Sequence, residues 1–297
     1  MNLPDGLTAR ALAIDDIDDV IAMINECERH DVGELMWERA DLAGDISTGG
    51  FDTERDWIGV FDGDRCVAWA MALATRRTFV DVHPDIRGRG VGTQLREWTI
   101  ERARQLGCDR AVQTIHDART DVARMLREAG YTPRHTSWIL RMDHSEPPPE
   151  PQPPAGVEIR TFRQSDEEEL LAMFEEAFAE FSDRLPQPIG AWRTMTTGRE
   201  GFRDEDMIVA TAERTIFGGA FLIEYEASIW VDKFAVHRDH RRRGIARAML
   251  YEAFRRSCDL GSPFTELNTD SRTDALAFYE RIGMYVRSSY TNWGLDL

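Results

Sequence analysis

Two short stretches decide how this chain reads: Arg87-Gly88-Arg89-Gly90-Val91-Gly92 and Arg241-Arg242-Arg243-Gly244-Ile245-Ala246. Each sits between an apolar run suited to a strand and an amphipathic run suited to a helix, as a basic island in an acidic chain. Small residues at 90, 92, 244 and 246 let the backbone approach a ligand closely. N–H groups at a helix start point together, and the helix dipole adds partial positive charge there. The pattern is that of a pyrophosphate cradle. No Gly-Lys-Ser/Thr follows, which excludes a Walker loop, and Thr93 stands where a dinucleotide fingerprint has its third glycine. A solvated charged turn is the alternative for one copy; two copies at matching places argue against it.

The loops belong to a repeat. Val82-His83-Pro84-Asp85 falls on Val236-His237-Arg238-Asp239 at an offset of 154, and Asp117-Ala118-Arg119-Thr120-Asp121 falls on Asp270-Ser271-Arg272-Thr273-Asp274 at 153, which carries Gly130 onto Gly283. Arg10, Asp16 and Met23 fall on Arg160, Asp166 and Met173 at 150, and Thr136, Trp138 and Leu140 on Thr291, Trp293 and Leu295 at 155. Offsets that stay this close indicate one fold used twice. Residues 144–156 hold six of the chain's 12 prolines and read as an extended linker. The expected organisation is an N-terminal domain over 1–143, a linker over 144–156 and a C-terminal domain over 157–297.

Composition agrees with two domains. The 297 residues are about twice the usual domain size, and 42% apolar and 9% aromatic content can fill two cores. No run reaches the roughly 18 uncharged apolar residues of a membrane span, and the first residues lack the basic and apolar regions of a secretion leader. Cys27, Cys66, Cys108 and Cys258 lie far apart, without metal or redox spacing, and read as reduced thiols of a cytoplasmic protein. The formal charge of −17 argues against nucleic acid as a partner and suits cationic small molecules, with solubility as the blander reason. Lys233 is the only lysine, which reads as composition bias.

Both halves give one coarse order of elements. A short strand (7–13; 157–163) precedes an acid-started helix (16–29; 166–181) and a second helical stretch (34–47; 189–197). Three strands follow (56–61, 66–74, 77–83; 206–213, 216–225, 228–237), with turns at Asp62-Gly63-Asp64 and Phe217-Gly218-Gly219. Then come the loop and its helix (91–106; 245–258), a strand (110–115; 263–268), a helix (119–129; 272–282) and closing strands ending at Trp138 and Trp293. Such mixing indicates α/β or α+β layers with helices packed on a sheet.

Arg87-x-x-Gly90-x-Gly92 and Arg241-x-x-Gly244-x-Ala246 resemble the acyl-CoA motif, Gln/Arg-x-x-Gly-x-Gly/Ala, of the GNAT superfamily of N-acyltransferases. The likeness covers both halves, and the layout resembles tandem members such as the mycothiol synthases. The resemblance implies two tandem GNAT-like domains, each a mixed, mostly antiparallel sheet splayed at its centre and flanked by helices. It implies acetyl-CoA as co-substrate and no metal. The loop backbones at Arg87, Gly88, Arg89, Gly90 and Gly92 and at Arg241, Arg242, Arg243, Gly244, Ile245 and Ala246 would hold the pyrophosphate. The pantetheine arm would pair along Phe234, Ala235 and Val236, with Phe79, Val80 and Val82 as counterparts.

Acetyl transfer to an amine requires that the amine lose a proton, that an oxyanion be stabilised and that the leaving thiolate be protonated. Asn268, Tyr279 and Gly283 resemble the family's Asn…Tyr-x-x-x-Gly signature, in which the tyrosine is general acid; a core aromatic is the alternative for Tyr279. At the 153 offset Ile115 and Leu126 replace Asn268 and Tyr279, so the C-terminal half is expected to be catalytic and the N-terminal half a degenerate copy. Many members carry a glutamate eleven residues before the loop's first residue, but here those places hold Trp230 and Arg76. Asp232, two residues beyond Trp230 and so on the same strand face, is the candidate base, with Glu224 and Glu226 as alternatives and an ion-paired structural carboxylate as the plain reading. His83 and His237 recur at the strand ends, where structural hydrogen bonding is the simpler role.

The acceptor is expected between the early helices and the last strands, near Asp183, Glu224, Tyr225, Glu226, Tyr290 and Trp293, whose acids and aromatics suit a small polar amine such as an aminoglycoside, an aminoacyl sugar or a peptide amine. Acetylation of a cysteinyl amine, as in the mycothiol synthases, and a non-catalytic CoA-binding regulatory module are the alternatives. The expected partners are a small-molecule amine and no nucleic acid or membrane, in a monomer or homodimer.

Overall fold

The computed structural model describes residues 1–297 except 34, 36, 48, 49, 181–185, 226 and 227. The chain forms two compact units, one of Met1–Thr136 with Tyr290–Leu297 and one of Ser137–Ser289. Among the described residues no helix is long and apolar enough to cross a membrane.

The first unit runs β1 (Leu7–Ala11), α1 (Ile17–Asp31), α2 (Arg39–Ile46), β2 (Trp57–Asp62), β3 (Arg65–Ala72), β4 (Thr78–Val82), α3 (Val91–Gln105), β5 (Arg110–His116) and α4 (Thr120–Glu128). β1 to β4 form an antiparallel sheet in chain order. Arg77, just before β4, makes a parallel bridge to Val112 of β5, and the Thr78 hydroxyl donates to the Val112 carbonyl at 3.1 Å. β6 (Thr132–Asp143) starts in this unit and ends in the next. In the second unit follow β7 (Glu158–Thr161), α5 (Glu167–Phe178), α6 (Ile189–Met195), β8 (Met207–Ala212), β9 (Thr215–Glu224), β10 (Ile229–Val236), α7 (Ile245–Asp259), β11 (Phe264–Asp270) and α8 (Ala275–Ile282), and β12 (Tyr285–Asp296) starts there and ends in the first unit. Its strands order as β7-β8-β9-β10-β11, antiparallel except for a short parallel contact between β10 and β11.

Repeated residues make repeated structure. α1 buries Ile17, Val20, Ile21 and Ile24, a helical stripe facing the sheet. Just before it Asp16 takes both Arg10 nitrogens at 2.6 and 2.7 Å and the Ala13 N–H at 2.7 Å. Asp166 does the same with Arg160, at 2.6 and 3.0 Å, and with the Arg163 N–H at 2.8 Å. In the second unit α5 and α7 pack on the sheet closely enough to require glycine. A Cβ on Gly219 would stand 2.7 Å from Leu170 and Phe174 of α5, and one on Gly218 would stand 2.8 Å from the Met249 sulfur of α7.

The expected division at residue 143 needs correction. Residues 137–143 of β6 belong to the second unit, antiparallel to β11, whereas residues 290–296 of β12 belong to the first, antiparallel to β5. Each closing segment is one long strand with matched apolar positions, so either can complete either copy of the fold. Leu140 is buried with Leu267 and Tyr279, while Trp293 is buried with Leu126 and Tyr131. Residues 144–156 lie outside regular helices and strands.

This placement predicts that Trp293→Ala costs about 3–5 kcal/mol in the first unit. Hydrogen exchange should show lost protection in β5 and α4; loss in β11 instead would contradict the strand assignment.

Candidate active site

The two arginine–glycine loops adopt one backbone design. Gly90 and Gly244 are the N-caps of α3 and α7, at φ of +85° and +88°, a left-handed conformation that favours glycine. Neither helix has a side-chain cap, so the first helical N–H groups remain for an anion. A Cβ on Gly88, Gly90 or Gly244 would meet nothing within 4 Å. Arg242 takes the left-handed φ of +60° where the first loop has Gly88. Gly92 and Ala246 are the small residues one step into each helix, and a Cβ on Gly92 would sit 3.4 Å from Val82.

The first arginine of each loop has a mechanical task. Arg87 gives Nε to the Val82 carbonyl at 2.8 Å and its other nitrogens to Asp31 at 2.6 and 2.8 Å. Arg241 gives Nε to the Val236 carbonyl at 2.9 Å and Nη1 to Glu180 at 3.0 Å. These guanidiniums pin the loop to the strand before it and to an acid at or just past the end of the first long helix. Burial works to raise the Asp31 carboxyl, but bonds from Arg87 and His30 and the charge of Arg119 outweigh it and hold the group below the usual carboxylate range. His83 and His237 also act structurally: Nδ1 of each accepts the N–H two residues on, and Nε2 meets Glu26 at 2.8 Å and Glu176 at 3.0 Å.

Beside the second loop the sheet opens. β10 pairs with β11 only at Ile229–Thr265, Trp230–Glu266 and Val231–Leu267. Immediately afterwards its register against β9 shifts between Val231 and Lys233, which makes Asp232 the extra residue of a β-bulge. The strands then part, leaving the edge at Phe234, Ala235 and Val236 facing a gap whose closed end lies at Asp232 and Asn268. An extended chain bearing amides could pair along such an edge. Tyr279 projects from α8 and is nearly buried, with its ring centroid 6.4 Å from that of Phe234. Burial pushes its phenol well above the ordinary value, and among the described residues its hydroxyl has no hydrogen-bond partner.

The bulge corrects one inference from spacing. Strand alternation cannot run from Trp230 through an unpaired extra residue, so Asp232 does not share the face of Trp230 on that ground. Its carboxylate, 31% exposed, meets the Lys233 ammonium. Lys233 is the residue that composition passed over. Its side chain is only 12% exposed, with Nζ 5.9 Å from the Trp192 ring centre and 6.0 Å from that of Phe221. A lone lysine beside the loop strand was the available signal.

The first unit differs at the same positions. Its β3–β4 register is continuous, without a bulge. Phe79 stands in place of Lys233 and packs with Trp37 and Trp69 at centroid distances of 5.3 and 5.9 Å. Asp81 stands in place of Ala235; burial raises its carboxyl, while Trp69 Nε1 donates to it at 2.9 Å. Leu126 and Tyr279 hold equivalent helix positions, since the Tyr131 N–H bonds the Leu126 carbonyl at 3.0 Å and the Met284 N–H bonds the Tyr279 carbonyl at 3.1 Å. Val80 and Val82 pack toward α3 with Val91 and Leu95.

Of the expected acceptor residues that are described, Glu224 and Tyr225 of the second unit have different surroundings. Glu224 pairs with Arg203 at 2.9 Å and lines a cavity of about 450 Å³ beside the C-terminal end of α7. Tyr225, the next residue, packs with the α5-side cluster that includes Trp230. Tyr290 belongs to the first unit, its ring 5.0 Å from that of His116. Asp183 and Glu226 lie outside the described residues.

Comparison with known proteins matches this geometry. The acetyltransferase (GNAT) family model matches residues 17–131, and an acetyltransferase (GNAT) domain model matches residues 203–283. The mycothiol acetyltransferase of Thermobispora bispora is 25% identical over 253 residues, covering 80% of this chain and 81% of that protein. The mycothiol acetyltransferase of Salinispora arenicola is 26% identical over 238 residues, covering 71% and 70%. A crystal structure of a GCN5-related N-acetyltransferase from Sphaerobacter thermophilus is 28% identical, with a TM-score of 0.84 over 99% of this chain and 97% of that one. A tandem GNAT protein from the clavulanic acid biosynthesis pathway shares the fold at a TM-score of 0.73 over 98% of each chain, with 16% identity. The chain therefore belongs to the GNAT superfamily of N-acetyltransferases, as a member with two GNAT domains in tandem.

Proposed function

We propose that the chain acetylates the primary amine of a small polar metabolite or antibiotic from acetyl-CoA, and that the second unit carries the chemistry. The observation that carries this reading is the conjunction in that unit of an uncapped anion cradle, an opened strand edge and a buried tyrosine beside it. The backbone from Arg241 to Ala246 would hold the pyrophosphate and the edge at Phe234–Val236 the pantetheine arm. Acetyl-CoA supplies the activated thioester. Tyr279, kept protonated by burial, donates to the leaving sulfur as the carbon–sulfur bond breaks. Asn268, at the gap's end on β11, orients the arm. Asp232 accepts the proton that the amine releases as its nitrogen bonds to the acetyl carbon. In the first unit Leu126 has no proton to give and aromatic rings fill the place of Lys233, which supports a binding or shaping role for that copy.

A second reading, acetylation of a cysteinyl amine, draws support from the relatives named mycothiol acetyltransferase. Free-thiol release from acetyl-CoA, measured across aminoglycosides, polyamines, aminoacyl sugars and a cysteinyl amine, separates the two. Tyr279→Phe should lower amine-dependent kcat by about 10²-fold or more, with little change in the KM for acetyl-CoA. Undiminished turnover in that variant would remove Tyr279 from the mechanism.

A further inference from the structure

We propose that Lys233 is itself an acetyl acceptor, so that the chain acetylates its own lone lysine when no amine substrate is bound. The proposal rests on the reading above, in which an acetyl thioester enters the gap of the second unit. Of the 36 basic side chains, Lys233 is the only lysine. Arginine stays charged and cannot act as a nucleophile, whereas a lysine amine can. This one exception stands directly after the bulge residue Asp232, where β10 leaves β11.

Position and surroundings both favour the reaction. A chain threaded along the edge from Val236 toward Phe234 must stop where Val231 and Leu267 hydrogen-bond the strands together, which brings its end beside Lys233. The ammonium lies 5.9 Å from the Trp192 ring centre and 6.0 Å from that of Phe221, at the outer limit of a cation–π contact, and Asp232 lies in contact with it. The first unit shows what packing alone selects at this position: Phe79, in an aromatic cluster. A largely buried lysine is harder to accommodate there than a ring, because its charge must be satisfied. In the step itself, one proton passes from the Nζ ammonium to Asp232, and the freed Nζ lone pair attacks the thioester carbonyl. The new carbon–nitrogen bond replaces the carbon–sulfur bond, and Tyr279 protonates the departing thiolate. The second proton that the nitrogen sheds on becoming an amide returns to the Tyr279 phenolate left by that transfer. The products are an acetamide at Lys233, without its charge or its ion pair to Asp232, and free CoA thiol.

The test uses the full chain with acetyl-CoA and no added amine, followed by intact mass and peptide mapping over time. One acetyl group should appear at Lys233, at least an order of magnitude faster than in the urea-unfolded chain. It should be slowed in Tyr279→Phe and absent in Lys233→Arg, whose remaining amine is the N-terminus. An unmodified Lys233, or one acetylated no faster than in the unfolded chain, overturns the proposal. Amine-dependent thiol release in the same preparation distinguishes this from failure of the transferase reading: release with Lys233 unmodified sinks the self-acetylation alone.

Discussion

The candidate site depends on one break in a hydrogen-bonded ladder. β10 and β11 run together for three residue pairs, and then the bulge at Asp232 turns β10 away. A parallel pair that continued would satisfy its own backbone groups and leave no room for a ligand. The break exposes N–H and C=O groups along 232–236 in the interior of a sheet, where they need partners. Asp232 and Asn268 are the residues that follow the last pair, Val231 and Leu267, while Lys233 meets Asp232 and Tyr279 lies near Phe234. The free N–H groups of the loop lie beyond Val236, at the other end of the same strand edge.

The loop is held by side chains that need not touch a ligand. Arg87 and Arg241 each tie the last carbonyl of a strand to an acid at the end of a helix, with nearly equal distances in the two units. That repeated clamp, with glycine at φ of +85° and +88°, keeps the cradle geometry even where the chemistry has changed. The first unit shows the result. It keeps the clamp and the cradle but has a continuous β3–β4 ladder, an aromatic cluster at Phe79 and Leu126 at the tyrosine's position.

Much of this was readable from residue order. The repeat, the strand–loop–helix setting of each arginine–glycine loop and the substitution of Leu126 for Tyr279 all depend on local spacing, which sequence records directly. Three features escaped. The bulge at Asp232 leaves no local signature, and across it alternation no longer fixes the face of a side chain. The closing strands carry matched residues and could pair with either copy, so only the folded chain assigns Trp293 and Tyr290 to the first unit. The acceptor region was expected from the place where the resembled family takes its acceptor, which does not say how side chains point at a strand end. Glu224 faces Arg203 and the cavity by α7, while Tyr225 packs in the α5-side cluster.

The central claim is that acetyl transfer uses the cradle of the second unit. Its most direct test is a matched pair of variants, Gly244→Asp and Gly90→Asp, which place a carboxylate at the N-cap of each helix. The KM for acetyl-CoA in amine-dependent thiol release should rise at least tenfold in Gly244→Asp, since about 1.4 kcal/mol of lost anion binding suffices, and stay near the wild-type value in Gly90→Asp. An equal rise in both variants, or a rise confined to Gly90→Asp, would contradict the account.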